Sequence, residues 1–116
     1  FPDFKLVVTE SGSGWLPHWL ERMDEYYELF GSTTGMKMFP SDYFKRQCWI
    51  DMEPDEKEAL RPVELLGADK FLWAGDFPHS DSSSDPVGEL KENLRSLPEV
   101  DQRKIMGENA IKLYQL

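Results

Sequence analysis

A short apolar run that ends in an acid constrains the fold of this chain more than any other feature. Phe71–Ala74 is continuously apolar, and Gly75 and Asp76 follow it directly, ahead of a turn-rich stretch. Because Gly67 is positioned to stop a helix just before the run, the pattern predicts a parallel strand buried on both faces. In α/β folds the carboxyl ends of such strands carry the chemistry. We therefore expect Asp76 to lie at the mouth of a sheet.

The rest of the chain alternates between strand and helix patterns. Apolar runs predict two further strands, at residues 5–9 and 48–51. Between them, apolar side chains recur at three- and four-residue steps, which predicts an amphipathic helix that stops at Gly31. Its broad buried stripe is expected to comprise Trp15, Leu16, Trp19, Leu20, Met23, Tyr27 and Phe30.

Five more helices are expected. One covers residues 41–46 with Ser41 as its cap, and one covers 54–66 with a break near Leu60 or Arg61 because Pro62 cannot continue a helix. Two follow, at 86–95, with Val87, Leu90 and Leu94 inward, and from 96 or 97 to Gly107, and a short final helix is capped by Asn109. These elements together predict an α/β chain.

Two polar features have structural interpretations. The stretch Ser11–Gly14 lacks the lysine of a phosphate-binding loop and is expected to be a plain strand-to-helix turn. Asp24 falls on the buried stripe of the first long helix, so its charge needs a partner. We expect Arg22, Arg46 or a backbone amide to supply it.

The stretch Gly75–His79 resembles the last strand of the amidohydrolase-related metal-dependent hydrolases, a group that includes aminocarboxymuconate semialdehyde decarboxylase. Members usually carry Ser-Asp-Tyr-Pro-His at this point, and this chain carries Gly-Asp-Phe-Pro-His. Five further stretches fall in the family's order, at residues 1–8, 14–17, 20–24, 40–44 and 107–114. The resemblance covers nearly the whole chain.

This resemblance implies part of a TIM-type (β/α)₈ barrel, a fold that needs about 250 residues. The chain has 116 residues and matches the family's strands 6–8 and C-terminal helices. We expect a single partial domain over residues 1–116, the C-terminal third of a barrel with about three β/α units, and incomplete as an isolated chain. The metal-binding histidines of the family's first and fifth strands have no counterpart, so the chain is expected to be a fragment of a longer enzyme or a truncated gene product.

The resemblance assigns catalysis and metal binding to Asp76. It matches the family's eighth-strand aspartate, which binds the metal and exchanges a proton with the metal-bound water or substrate. A divalent ion, with zinc as the expected metal, lowers the pKa of bound water to about 7. The structural alternative is an aspartate that caps nearby backbone N–H groups. Because one carboxylate does not hold zinc, the isolated chain is expected to bind no metal stoichiometrically and to be inactive.

Glu10 and His79 are further candidate site residues. Glu10 falls where decarboxylase-like members place a histidine after their sixth strand, and a glutamate can still accept a proton or hydrogen-bond a substrate. This departure leaves hydrolysis and decarboxylation both open. The resemblance gives His79 at most a supporting role, behind the metal or against the substrate.

Composition narrows the class of partner. With 13 basic and 22 acidic residues the net charge is −9, which disfavours nucleic acid binding. Cys48 is the single cysteine, so an internal disulfide is excluded and a cytoplasmic setting is expected. No apolar stretch approaches the roughly 18 residues of a membrane span.

These expectations combine into one function and one alternative. The parent activity is expected to be hydrolysis or nonoxidative decarboxylation of a small carboxylated or aromatic substrate. The alternative is a non-catalytic remnant that persists as an oligomerising module. Three parallel strands cannot close a barrel, so open sheet edges and uncovered helix faces favour a homo-oligomer in which part of the stripe from Trp15 to Phe30 is buried between chains.

Overall fold

A computed structural model of the chain describes residues 1–80 and 82–116 and contains a parallel three-stranded sheet. The strands lie in the order β1 (Leu6–Val8), β2 (Cys48–Met52) and β3 (Phe71–Trp73). Both neighbouring pairs are parallel, so all three carboxyl ends meet at one edge. The α/β prediction and its three strands are confirmed.

Six α-helices surround or follow the sheet in the described ranges. Two of them, α5 and α6, are joined by a wide turn over Lys104–Glu108, where Gly107 leaves helical geometry with a φ of 175°. The predicted helix stop at Gly107 is therefore a break between two helical segments. The helices are α1 (Leu16–Phe30), α2 (Pro40–Gln47), α3 (Leu60–Leu66), α4 (Pro86–Leu94), α5 (Glu99–Arg103) and α6 (Asn109–Tyr114). None of these helices has both the length and the apolar character that a membrane span requires.

The core lies on one side of the sheet. Ile50, Met52 and Phe71 are fully buried, because alternate residues of a strand point to the same side and helices cover that side. Their partners from α1, α3 and α4 are Leu16, Leu20, Val63, Leu90 and Leu94. Residues between them, such as Asp51 and Leu72, point to the opposite side of the sheet.

The predicted broad buried stripe of α1 is wrong in its extent. Only Leu16 and Leu20 are buried on this helix, whereas Trp15, Trp19 and Phe30 are 41%, 56% and 54% exposed. The reason is that α1 meets the core and its neighbours α2 and α3 along a narrow line. The aromatic side chains beyond that line have no covering element in the described part of the chain.

Two predicted helix caps are replaced by tertiary contacts. Helix α2 begins at Pro40, and the backbone amide of Ser41 donates to Asp24 Oδ1 at 2.9 Å, so Ser41 is no cap. This bond confirms that a backbone amide pairs with Asp24. Asn109 is buried, and its side-chain amide donates to the carbonyls of Ala68 (2.7 Å) and Phe71 (2.8 Å), so it clamps the start of β3 instead of capping α6.

Three other predictions, two about helix bounds and one about burial, need correction in part. The break expected near Leu60 is present, because residues 57–59 form a 3₁₀ turn and α3 begins at Leu60. The α-helix is therefore shorter than the predicted 54–66, and Pro62 lies in its first turn, where the missing N–H is not needed. Val87 is 41% exposed, although Leu90 and Leu94 are buried as predicted. Helix α5 starts at Glu99 because the preceding proline holds an extended backbone.

Candidate functional site

A cavity of about 560 Å³ opens at the carboxyl edge of the sheet, and an acid from beyond each strand lines it. Glu10 follows β1, Glu53 follows β2 and Asp76 follows β3. We call this space the carboxyl-edge cavity. Its other lining residues are Gly12, Pro54, Asp55, Gly75, His79, Ser82, Ser83 and Glu89.

The three predicted site residues meet in this cavity. Glu10, Asp76 and His79 all line it, and the backbone amide of His79 donates to the carbonyl of Asp76 at 2.7 Å. The His79 side chain itself is exposed. The shared strand polarity thus brings together residues that are up to 69 positions apart in the sequence.

Glu10 and Asp76 share an unusual backbone conformation. Their φ angles are 54° and 51°, in the left-handed region that costs a non-glycine residue about 1–2 kcal/mol. Backbone strain of this kind persists only where the surrounding structure enforces it, and it concentrates at functional sites. Both acids are therefore held in place by their surroundings at the exits of β1 and β3.

Glu53 and Asp76 form a carboxyl pair. Burial is the largest cause that raises the pKa of Glu53, and the charge of Asp76 and a hydrogen bond to it add to the effect. The nearby charges of Asp51 and Glu56 act in the same direction, and the pKa reaches about 7. Near neutral pH the pair can therefore hold a proton between its two carboxyl groups.

A third acid, Asp51, lies within strand β2, two residues before Glu53. It is 5% exposed, and burial, more than any neighbour, raises its pKa above the ordinary value. The backbone amide of Glu10 opposes that rise, while the charges of Asp76 and Glu10 reinforce it. Within the described residues, Asp51 Oδ1 is buried with no hydrogen-bond partner.

The carboxylate of Glu56 connects two loops at the cavity rim through hydrogen bonds. Glu56, from the loop after β2, accepts hydrogen bonds from the amides of Ser13 and Gly14, both at 2.7 Å, and from the Ser13 hydroxyl at 3.1 Å. Gly12 is required beside it, because its φ is +60° and a Cβ there would lie 3.2 Å from Glu56 Oε1. The predicted strand-to-helix turn at Ser11–Gly14 is thus held by a distant acid.

Helix α4 supports the same arrangement from the other side. The side-chain amide of Asn93 donates to the carbonyl of Glu56 at 2.8 Å. At the start of α4, Asp85 Oδ1 accepts from the amide of Gly88 at 3.0 Å and caps the helix. The loop after β2 is therefore held between the loop after β1 and α4.

Sequence reasoning missed Asp51, Glu53 and Glu56. A signal for the first two was present, because the run from Cys48 ends in acids as the run before Asp76 does. Strand alternation then separates their roles: Asp51 lies within β2 and points away from the core, whereas Glu53 lies just beyond its end. The contact of Glu56 with Ser13 spans 43 residues, and local patterns do not report it.

The acids of the cavity suit a divalent cation as partial ligands. Carboxylate oxygens are ligands for zinc and for harder ions such as manganese and magnesium. In residues 1–80 and 82–116, no group of three or more histidine, cysteine, aspartate or glutamate side chains is arranged to hold a metal ion. Asp76 and its neighbour Glu53 can therefore supply some of the ligands of a divalent cation, but not a complete set.

Comparison with known proteins gives one family. The family model described as Amidohydrolase matches residues 1–116. A search of curated proteins finds no match for the chain.

Solved structures similar to this chain include an amidohydrolase from Mycobacterium avium subsp. paratuberculosis, with a TM-score of 0.83 and 26% identity over 97% of this chain and 28% of that one. The 5-carboxyvanillate decarboxylase of Sphingomonas paucimobilis has a TM-score of 0.75 and 28% identity over 100% of this chain and 35% of its own. A dihydroxybenzoic acid decarboxylase from Polaromonas sp., with bound manganese and the inhibitor 2-nitroresorcinol, has a TM-score of 0.77 and 26% identity over the same shares. The chain thus spans about a third of the length of these proteins.

Proposed function

The chain belongs to the amidohydrolase family, and from that premise we propose that it carries the last three β/α units of a metal-dependent enzyme. The enzyme hydrolyses or decarboxylates a small carboxylated or aromatic substrate. One observation carries the proposal: acids from beyond three successive parallel strands converge on one cavity of about 560 Å³. A space of that size suits a small-molecule ligand.

Asp76 is proposed as the metal ligand and as a catalytic residue. Its carboxylate lines the cavity, and its backbone carbonyl is held by the amide of His79. A bound divalent metal lowers the pKa of a coordinated water and polarises an oxygen of the substrate. We propose zinc, with manganese as the alternative because the Polaromonas relative is described with bound manganese.

Glu10 is proposed as the second catalytic residue. It accepts a proton or hydrogen-bonds the substrate from the exit of β1, where it lines the same cavity as Asp76. The bonds from Ser13 and Gly14 to Glu56 fix the loop that follows Glu10. His79 is proposed to support the site from its rim, against the substrate or behind the metal.

Decarboxylation and hydrolysis are each supported by an observation. Two relatives that are 26% and 28% identical to the chain are decarboxylases of aromatic carboxylates by name. A glutamate at position 10, where decarboxylase-like members carry histidine, keeps hydrolysis as the competing reaction. The two reactions have different products. Decarboxylation releases CO₂ from the substrate, whereas hydrolysis adds a water across a substrate bond and gives two fragments.

The test uses the complete open reading frame that encodes this chain, purified and supplied with zinc or manganese. Release of CO₂ from 5-carboxyvanillate and dihydroxybenzoates is measured beside hydrolysis of amide and ester analogues. Asp76→Asn is expected to lower activity by about 100-fold or more. Asp3→Asn, an exposed acid before the opposite end of β1, serves as the matched control and is expected to leave activity unchanged. Activity that survives Asp76→Asn contradicts the assignment.

A non-catalytic, oligomerising chain is the second candidate, and the outer side of α1 favours it. Trp19, Tyr26 and Phe30 are each more than half exposed, and a cavity of about 650 Å³ lies among them. We propose that a second copy covers this side, in a cytoplasmic setting that keeps the Cys48 thiol reduced. Light scattering of the 116-residue chain at micromolar concentration is expected to give a dimer or larger species, and Trp19→Lys is expected to shift it to monomer. A well-folded wild-type monomer contradicts this candidate.

A further inference from the structure

The two proposed catalytic acids come from strands that are not neighbours. Glu10 follows β1 and Asp76 follows β3, and β2 lies between these strands in the sheet. Adjacent strands lie about 4.8 Å apart, so the exits of β1 and β3 are about 10 Å apart. Two groups at that separation act together on one small substrate only when their relative position is fixed. The loop after β2 is placed to fix it.

On the β1 side, this loop holds the residues that follow Glu10. The carboxylate of Glu56 accepts hydrogen bonds from Ser13 and Gly14, and Ser13 is fully buried. The backbone amide of Leu16 donates to the carbonyl of Ser13 at 3.1 Å, which joins the same loop to the start of α1. Because Glu10 leaves β1 with a φ of 54°, its direction depends on how the loop after it is held.

On the β3 side, a side chain of α4 holds Glu56 in place. Asn93 is half-buried in the last turn of α4, and its side-chain amide donates to the carbonyls of Glu56 at 2.8 Å and Pro54 at 3.4 Å. Since backbone carbonyls only accept hydrogen bonds, the amide nitrogen must be the atom that faces them. These bonds span 37 and 39 residues, so they join two separate elements of the fold.

Helix α4 is itself fixed beside Asp76. Its first residue, Pro86, lies so close to Gly75 that a Cβ on this glycine would be 3.4 Å from Pro86 Cγ. Leu90 of the same helix is fully buried in the core. The position of Asn93 is therefore set by the exit of β3, and its bonds connect that exit to the loop after β2.

We propose that Asn93 is a positioning residue for the reaction, which acts through Glu56 to fix the loop after Glu10 relative to Asp76. The proposal rests on the proposed function, because it takes Glu10 and Asp76 as the catalytic residues. Every partner in this set of bonds belongs to the present chain. The bonds therefore do not depend on the additional strands that the longer relatives contain.

The position of the loop is tested by NMR on the ¹⁵N-labelled 116-residue chain. Asn93→Leu keeps the size of the side chain and removes its donor, and Lys91→Leu, at an exposed position of the same helix, is the matched control. The amide shifts of Glu10, Ser13 and Gly14 are expected to change in Asn93→Leu and to stay unchanged in Lys91→Leu. A general loss of stability does not move native-state shifts, so unchanged shifts in Asn93→Leu overturn the proposal.

The effect on catalysis is tested with the complete open reading frame. Asn93→Leu is expected to lower kcat about tenfold with little change in KM, since a displaced catalytic group mainly slows the chemical step. In a Glu10→Gln background the same substitution is expected to lower kcat less than about twofold, because the group that it positions is already lost. Equal losses in both backgrounds indicate a general structural role and overturn the proposal.

The outcomes separate this proposal from the function on which it rests. If the complete enzyme is inactive, or Glu10→Gln leaves its activity unchanged, the proposed role of Glu10 is wrong and the role of Asn93 falls with it. If Glu10→Gln lowers activity and Asn93→Leu does not, only the role of Asn93 is wrong. If Asn93→Leu does not fold, Asn93→Ala replaces it in both experiments, with the same expected results.

Discussion

The two sides of the sheet differ in how completely their side chains are packed and paired. On the helix-covered side, Ile50, Met52 and Phe71 are fully buried among apolar partners. On the other side, Asp51 is buried with an unpaired oxygen, and a cavity lies beside it. One side therefore supplies stability, and the other, with the adjoining carboxyl edge, is available for chemistry.

The largest expected contrast is between neighbouring residues of β2. Ile50→Ala should lower the free energy of unfolding by about 3 kcal/mol, because it opens a cavity in a fully packed core. Trp49→Ala removes a half-buried ring under the Lys70 ammonium, which lies 4.2 Å from the ring centroid, and should cost about 1 kcal/mol. Urea unfolding of the two variants measures both. Equal losses of unfolding free energy in the two variants would contradict the proposed difference between the two sides of the sheet.

The strand and helix content was predictable because it follows local periodicity. The run at Phe71 and the spacing along α1 identify their elements without tertiary information. The caps were less predictable, since Asn109 bonds to Ala68 and Phe71 about 40 residues away and Ser41 pairs with Asp24. Local propensity cannot tell a cap from a tertiary clamp.

The candidate site was predictable in part for a similar reason. Asp76 ends an apolar run, so its place at the carboxyl edge follows from the pattern. Burial of the α1 aromatics was overestimated because periodicity shows which residues share a side and not how much of that side has a partner. The roles of Asp51 and Glu53 depend on which side of β2 the helices cover, and only packing decides that.

The next expected effect concerns the rim of the carboxyl-edge cavity. Glu56→Ala removes three hydrogen bonds to Ser13 and Gly14 and should cost about 2 kcal/mol in the free energy of unfolding. The control is Glu58→Ala, which removes an exposed acid of equal charge from the same loop region and should cost less than about 0.5 kcal/mol.

Hydrogen exchange separates the local from the global effect of this change. The amides of Ser13 and Gly14 should exchange faster in Glu56→Ala than the global loss of stability accounts for, because their acceptor is gone. If both amides keep their protection, Glu56 does not hold the loop.

The smallest expected effect is a pH dependence from Glu53. Its pKa rises from 4.5 to about 7 on folding, so its contribution to stability is fully present below pH 4.5 and is lost as the pH rises to about 7. Because the cavity is open to solvent, the change should be about 1 kcal/mol. Urea unfolding between pH 4.5 and 8, with a chelator present, should show this fall, and Glu53→Gln should flatten it relative to Glu89→Gln. A slope unchanged by Glu53→Gln rules out the carboxyl pair.

The most direct test of the carboxyl edge as the functional side is where a paramagnetic cation collects on the chain. Substoichiometric Mn²⁺ is added to the ¹⁵N-labelled 116-residue chain, and line broadening is mapped along the sequence. Carboxylate oxygens suit this ion, so we predict broadening at Glu10, Glu53 and Gly75–His79, and its loss in Asp76→Asn but not in Asp3→Asn. Broadening that is as strong along the acidic side of α1, at Glu21, Glu25 and Glu28, or that persists in Asp76→Asn, would contradict the account.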